Sequence, residues 1–103
     1  MTKYVYVDVT ERDINTPMIF NTMAEAKAKM LEDFLVCVDA QDKLDAFYET
    51  RNYLKVYKSL YDDNTIFKLG DDGYISFATE LPYAYATTKN HDNWDAMIYP
   101  IDI

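Results

Sequence analysis

The chain has 103 residues, half of them apolar, and its formal net charge at pH 7 is -8. This length and composition predict one globular domain, residues 1–103, with a core of its own. The negative charge opposes direct contact with nucleic acid and with anionic membrane surfaces, so we expect neither as a partner. A single cysteine, Cys37, excludes an internal disulfide. Because no apolar run has the length of a signal core or a membrane span, we expect a cytoplasmic protein.

Residues 3–9 alternate between two sets of side chains and are predicted to form the first strand. One face of this strand carries Tyr4 and Tyr6. The other face carries the valines Val5, Val7 and Val9. Because valine has no polar side-chain atom, we expect the valine face to lie in the core. The tyrosine face is then either half-exposed or covered by another element.

A helix over about residues 22–38 is predicted from its start signal and its periodicity. Thr22, followed three residues later by Glu25, has the spacing of a capping box. The apolar residues that follow recur on one helical face: Met23, Ala26, Met30, Leu31, Phe34, Cys37 and Val38. We assign this face to the core of the domain.

A second helix is predicted over about residues 40–61, in a part of the chain that contains neither glycine nor proline. Its apolar face changes direction: Phe47 lies on one side and Leu60 near the opposite side, and the exchange falls near Arg51. Two explanations remain open. The helix breaks near Thr50–Asn52 so that both halves face one core, or it is straight and contacts different neighbours, such as another chain, at its two ends.

Strands are predicted for the remainder of the chain. Apolar runs at 66–69 and 74–78 flank the turn Gly70–Gly73 and predict a hairpin. Two further strands are expected at Tyr83–Thr87, where alanines on one face would let a helix approach closely, and at about Trp94–Tyr99, where Pro100 marks either the end of the strand or an exposed edge.

The order of these elements predicts an α+β fold, because helices and strands are segregated along the chain. We expect a single antiparallel sheet of about four to five strands with the two helices packed on one face. The chain order is β-α-α-β-β-β, with one further strand as an option at the end.

The chain contains little of the chemistry that enzymes use. It has one histidine, His91, and no glycine-rich loop that could hold a phosphate group. Histidine, cysteine and carboxylate residues do not recur at the spacing of metal ligands, so we predict no cofactor. We therefore predict that the protein is not an enzyme. The remote alternative is a small enzyme that uses His91 with Asp92 or Asp95.

The ten tyrosines point instead to contact with another protein. Tyrosine combines a large apolar area with a polar tip and is enriched in protein interfaces. We predict a non-enzymatic protein-binding module that acts through tyrosine-rich faces, with a homodimer as one form of that contact. The alternative is an acidic inhibitor that mimics nucleic acid and occupies a basic groove of another protein. The candidate interface residues are Tyr53, Tyr57, Tyr61, Tyr4, Tyr6 and Arg51.

Two short segments resemble small acidic uncharacterised proteins from phages and prophages of Gram-positive bacteria. These segments are Phe20–Ala26, at the start of the first helix, and Asn93–Tyr99, in the last strand. The resemblance covers 14 residues and carries no catalytic or binding residue. It implies that host-directed binding proteins, including acidic inhibitors that mimic DNA, belong among the hypotheses.

Overall fold

A computed structural model describes residues 1–63, 73–77 and 81–103 of the chain. Its elements in chain order are β1 (Thr2–Thr10), β2 (Asp13–Ile14), β3 (Met18–Phe20), α1 (Met23–Cys37), α2 (Gln41–Thr50), α3 (Tyr53–Asp63), β4 (Gly73–Ser76), β5 (Tyr83–Thr87) and β6 (Asn93–Asp102). The predicted α+β class is confirmed. The predicted numbers of four to five strands and two helices are wrong, because the described residues contain six strands and three helices.

The six strands form one antiparallel sheet in the order β2-β1-β6-β5-β4, and β3 pairs with the same edge of β1 as β2. β1 and β6 pair along their whole length, from Thr2 opposite Asp102 to Thr10 opposite Trp94. The first and last strands of the chain are therefore neighbours in the middle of the sheet. The additional strands β2 and β3 are two and three residues long, which is too short for a pattern of alternation to predict them.

The helical layer lies against one side of this sheet, which we call the covered face. α1 contacts five of the six strands, and α2 and α3 pack on α1. Strand side chains that point to α1 are almost completely buried: Tyr6, Ile75, Ala84, Ala86, Trp94, Ala96 and Ile98. The predicted placement of the helices on one face of the sheet is consistent with this arrangement.

The covered face is the tyrosine face of β1, so the expectation that Val5, Val7 and Val9 lie in the core is wrong. Tyr6 is 1% exposed, and its hydroxyl donates a hydrogen bond of 2.7 Å to Asp33 Oδ2 on α1. The valines lie on the opposite side of the sheet and are half-buried. A buried hydroxyl needs an acceptor, and the alternation of residues in β1 does not reveal that α1 supplies one.

The polar atoms of the covered face are joined in two hydrogen-bonded pairs. Burial raises the pKa of the Tyr6 hydroxyl, and the charge of Asp33 adds to this shift, so Tyr6 stays a donor. Burial also raises the pKa of Asp33, although the Tyr6 hydroxyl and the Lys29 ammonium at 3.2 Å act against it. In the second pair, the indole N–H of Trp94 donates to Asp8 Oδ2 at 3.0 Å.

Small residues on β4 and β5 allow α1 to approach the sheet closely, as the alanine pattern of β5 predicts. Ala84 and Ala86 are 2% and 0% exposed. At Gly73 the approach is closer still, because a Cβ atom there would lie 2.6 Å from Val38 Cγ1 and 3.1 Å from the Phe34 ring. No side chain larger than hydrogen fits at this position unless its neighbours move.

The predicted N-cap of the first helix at Thr22 is confirmed, but the return bond of a capping box starts from the Thr22 hydroxyl and not from its backbone N–H. The Glu25 N–H donates to Thr22 Oγ1 at 3.2 Å, and the Thr22 hydroxyl donates to Glu25 Oε1 at 2.8 Å. With Thr22 as the N-cap, the helix lies within one residue of the predicted 22–38 at each end. Its buried residues are Ala26, Met30, Leu31, Phe34 and Leu35.

The predicted helix at 40–61 is two helices, which decides between the two explanations for its rotated apolar face. Arg51 has a φ of 54°, in the left-handed region, and its N–H donates to the Phe47 carbonyl at 2.8 Å. α3 then begins after Asn52, whose Oδ1 accepts a hydrogen bond from the Lys55 N–H at 3.1 Å. The change of direction lets Phe47 and Leu60 enter the same core.

The last strand continues past Pro100 to Asp102, so Pro100 does not mark its end. The N–H of Ile98 points away from β1, because it donates to the Pro82 carbonyl at 3.0 Å. Pro100 is two residues further along the strand, so its backbone nitrogen points to the same side as that of Ile98. At Pro100 β5 has already ended, so the missing N–H removes no hydrogen bond from the sheet. The predicted strand at 66–69 and most of the turn before Gly73 lie outside the described residues.

We expect the Tyr6–Asp33 hydrogen bond to appear as a coupling between two substitutions. Asp33→Ala should lower the free energy of unfolding by about 1–3 kcal/mol, because the Tyr6 hydroxyl stays buried without its acceptor. Tyr6→Phe should cost about 1 kcal/mol, and the double variant less than the sum of the two. Urea denaturation measures all three values. The matched control is Tyr4→Phe, which removes a hydroxyl from the same strand face; strictly additive effects at Tyr6 and Asp33 would contradict the prediction.

Gly73→Ala should lower the free energy of unfolding by about 1–3 kcal/mol, because the new methyl group overlaps Val38. Adding Val38→Ala should recover part of this loss, since it removes the atom that the methyl group meets. Denaturant unfolding of the two single variants and the double variant is the measurement. An unfolding free energy that Gly73→Ala leaves unchanged would show that α1 does not approach the sheet this closely.

Candidate functional site

The side of the sheet opposite α1 carries an apolar and tyrosine-rich surface, which we call the open face. The register of the strands places on it the side chains of Val5, Val7, Val9, Ile14, Ile19, Tyr74, Tyr83, Tyr85, Met97 and Tyr99. Tyr74, Tyr83 and Tyr99 are 44%, 36% and 41% exposed. Four of the ten tyrosines of the chain therefore lie together on one side of the sheet.

A shallow depression of about 460 Å³ lies near the middle of the open face. Its lining is apolar or aromatic except for one carboxylate: Val7, Val9, Tyr83, Tyr85, Met97, Tyr99 and Asp95, together with the backbone at Ala84 and Ala96. A depression of this shape suits a side chain that projects from another surface.

The tyrosines of the open face are held in place by their neighbours. The ring centroids of Tyr74 and Tyr83 are 5.5 Å apart, and the hydrogen bond between their hydroxyls raises the pKa of Tyr83. The Tyr85 hydroxyl lies 3.2 Å from Asn93 Oδ1, to which it donates. The Tyr99 hydroxyl donates to the sulfur of Met97 at 2.8 Å. Because these rings are already ordered, a partner would lose little side-chain entropy in packing on them.

Few charged side chains of the described residues lie on the open face, although the chain as a whole carries a net charge of -8. Among the strand residues that point to this side, the charged ones are Lys3 and Asp95. The Lys3 ammonium donates to Asn21 Oδ1, a neutral acceptor. Asp95 is exposed, and its carboxylate accepts no hydrogen bond from any residue in the described ranges. Depletion of charge together with enrichment in tyrosine and methionine is the composition of an interface core.

The predicted interface residues are divided between two places in the fold. Tyr6 is buried under α1, and Tyr4 is half-buried on the same side of the sheet, so these two form no exposed surface together. Arg51 is exposed, and its guanidinium lies 5.9 Å from the centre of the Tyr48 ring.

The three tyrosines of α3 are brought together, as their spacing of four predicts. Tyr53 and Tyr57 are half-buried against Phe77, at ring distances of 5.6 Å and 4.4 Å. Tyr61 is 63% exposed and lies 6.1 Å from Tyr57. One of the three rings is therefore largely available to a partner, and the other two close the edge of the core.

The open face was not selected from the sequence, although its residues carried a usable signal. Tyr83 and Tyr85 alternate with alanines that suit contact with a helix, so the tyrosines must point away from that helix. In β6, Met97 and Tyr99 alternate with Ile98 in the same way. The sequence does not show that β6 pairs with both β5 and β1. This pairing joins the residues into one surface.

His91, the residue of the remote enzymatic alternative, lies in a different part of the molecule. It is exposed in a turn and lines a depression of about 380 Å³ with Cys37, Asp39 and Lys89. Burial raises the pKa of Cys37 to about 12, and the charges of Asp33 and Asp8 add to the shift. The thiol is thus protonated at neutral pH and is a weak nucleophile.

The described ranges contain no group of three or more histidine, cysteine or acidic side chains arranged to hold a metal ion. None of the helices in the described part of the chain combines the length and the apolar character that crossing a bilayer requires. Searches against protein-family models, curated proteins and solved structures found no significant match to this chain. The resemblance to phage and prophage proteins therefore stays a prediction.

Tyr74→Phe should lower the pKa of Tyr83 toward the ordinary tyrosine value, because it removes the hydrogen bond that stabilises the neutral hydroxyl of Tyr83. NMR titration of ¹³C-labelled tyrosine measures this change directly. Tyr48→Phe, which removes a hydroxyl from the helical layer, is the matched control and should leave Tyr83 unaffected. If Tyr83 titrated at the same pH with and without the Tyr74 hydroxyl, the two rings would not be coupled as described.

Proposed function

We propose that this protein is a non-enzymatic protein-binding module whose contact surface is the open face of its sheet. The observation that carries the proposal is the contrast between this face and the rest of the molecule. In the described strands, ordered tyrosines and apolar side chains form one continuous surface that includes two charged residues, Lys3 and Asp95, whereas the charged fraction of the chain is 27%. Such a surface gains free energy when water is removed from it.

The helical layer supports this role less well. Its outer surface carries many charged side chains, including Lys29, whose ammonium lies 3.1 Å from Glu32 and 3.2 Å from Asp33. Exposed charges must lose hydration when they are covered, and their pairing returns little of that free energy. The α3 tyrosines offer Tyr61 as their main exposed ring, which is a small area for a specific contact.

The alternative of an acidic inhibitor that mimics nucleic acid requires a row of uncompensated carboxylates. On α1, the carboxylates Glu32 and Asp33 share one ion-pair partner, Lys29, which offsets one of their two negative charges. On α3, Lys55 and Lys58 add positive charge to the same layer. These observations favour the open face over a carboxylate surface as the site of contact.

Hydroxyl-radical footprinting in cells that express the protein tests which layer is in contact with another protein. We expect Tyr83 and Tyr99 to be oxidised more slowly in the cell than in dilute solution, because a partner covers them. Tyr48 and Tyr61, which are 41% and 63% exposed on the helical layer, should be oxidised at similar rates in both conditions. Protection of Tyr48 and Tyr61 without protection of Tyr83 and Tyr99 would contradict the proposal.

A pair of matched variants makes this experiment sharper. Met97→Lys places a charge in the middle of the open face and should abolish the protection of Tyr83 and Tyr99. Leu54→Lys makes the same kind of change at a residue of α3 that is 46% exposed, and it should leave the protection intact. Thermal unfolding of both variants confirms that they are folded.

A further inference from the structure

We propose that the occupant of the open face is a second copy of this chain, packed sheet to sheet about a twofold axis that brings Lys3 of each copy to Asp95 of the other. This inference rests on the proposed function, because it names the partner of the same surface. Three properties of the open face support it: its area, the positions of its two charges, and the contacts that the resulting symmetry creates.

The area of the open face suits a reversible dimer. With a rise of ~3.3 Å per residue and a spacing of ~4.8 Å between strands, each strand residue represents roughly 16 Å² of sheet. The six strands, of 9, 2, 3, 4, 5 and 10 residues, then present roughly 500 Å² per copy. Two copies would bury roughly 1,000 Å², above most crystal contacts (below ~800 Å²) and within the range of weak, reversible complexes (below ~1,200 Å²).

The two charges of the open face occupy complementary positions on it. Lys3 lies on β1 opposite Ile101, and Asp95 lies on β6 opposite Val9, so they are near opposite ends of two neighbouring strands. Six residues of strand separate the two positions, which corresponds to roughly 20 Å. Their midpoint is at the Tyr6–Ile98 pair, which is also the middle of β1.

The twofold axis lies between the two facing sheets and parallel to them, above this midpoint and perpendicular to the line from Lys3 to Asp95. Rotation about this axis places the Lys3 end of one copy over the Asp95 end of the other. Each lysine of one copy then meets the aspartate of the other, and two ion pairs form. An axis parallel to the strands would instead bring Lys3 near Lys3 and Asp95 near Asp95, which like-charge repulsion disfavours. The charges of this face are therefore self-complementary for one orientation of a second copy, as a closed symmetric dimer requires.

The same axis gives an ordinary sheet packing. Because Lys3 and Asp95 are one strand apart, the axis is tilted, and the strands of the two copies cross at roughly 30°, the magnitude found in aligned sandwiches. In this arrangement Tyr83 of one copy lies over Tyr99 of the other. The two sheets then form the inner layers of a four-layer assembly, and the charged helices form the outer layers.

Charge reversal in purified protein tests the inference. Sedimentation equilibrium from about 1 µM to about 500 µM should show a monomer–dimer equilibrium with a micromolar Kd, as expected for a contact of this area. Lys3→Glu and Asp95→Lys should each raise the Kd roughly tenfold or more, because each creates two like-charge contacts per dimer. The double variant Lys3→Glu with Asp95→Lys should return the Kd to within roughly threefold of the original, since the pairs form again with opposite sign.

Matched controls make the same changes of charge on the helical layer. Lys58→Glu on α3 and Asp45→Lys on α2, both at exposed positions, alter the net charge equally and should leave the Kd unchanged. Circular dichroism and thermal unfolding of every variant at low concentration establish that each is folded. A dimer whose Kd follows net charge alone, or that the double variant fails to restore, would overturn the proposed orientation.

The outcomes separate this inference from the proposed function. If the purified protein stays monomeric while Tyr83 and Tyr99 are protected in cells, the partner is a different protein and the second copy is ruled out. If a dimer forms with Tyr83 and Tyr99 still reactive in the purified protein, it uses another surface, and the second copy is ruled out as the occupant of the open face. The proposed function then fails only if these two tyrosines are also unprotected in cells. Dimerisation that protects these two tyrosines and responds to charge reversal as described supports both.

Discussion

The structure depends on the contact between α1 and the tyrosine face of β1. This contact requires that the Tyr6 hydroxyl find an acceptor inside the core, and Asp33 on α1 provides it at 2.7 Å. The buried indole N–H of Trp94 also needs an acceptor, and Asp8 Oδ2 provides it at 3.0 Å. A buried polar atom without a partner costs more than its hydrogen bond contributes, so these two pairs determine which side of the sheet the helices cover.

The position of the helices on the tyrosine face of β1 also determines which side chains lie on the opposite side of the sheet. With one helical layer, a single sheet can be covered on one face only. The alanines of β5 and the glycine of β4 lie against α1, where close approach of the helix needs small side chains. Alternation along the strands then sends Tyr74, Tyr83 and Tyr85 to the other side, together with the valines of β1. The proposed contact surface and the core thus both result from the packing of α1 on one face of the sheet.

Some features followed from local sequence because local chemistry determines them. The capping of α1 needs Thr22 and Glu25 at a fixed spacing, and the rotation of the apolar face near Arg51 follows from helical periodicity, although the left-handed conformation of Arg51 that ends α2 does not. The alanine alternation of β5 indicated contact with a helix for the same reason. The short strands β2 and β3 could not be predicted with equal success, because hydrogen bonds to β1 define them and no periodicity does.

The amino-acid sequence alone predicts the class of the fold, the start of α1, the rotation of the apolar face near Arg51, and the separation of tyrosines from valines on β1. The tertiary structure decided which of those two sets is buried and that Tyr83, Tyr85, Met97 and Tyr99 share a surface. Alternation establishes that neighbouring side chains point to opposite sides, and it is symmetric between them. Which of the two sets is buried depends on contacts with residues distant in sequence. Here these are the Asp33 carboxylate on α1 and the pairing of the first strand with the last.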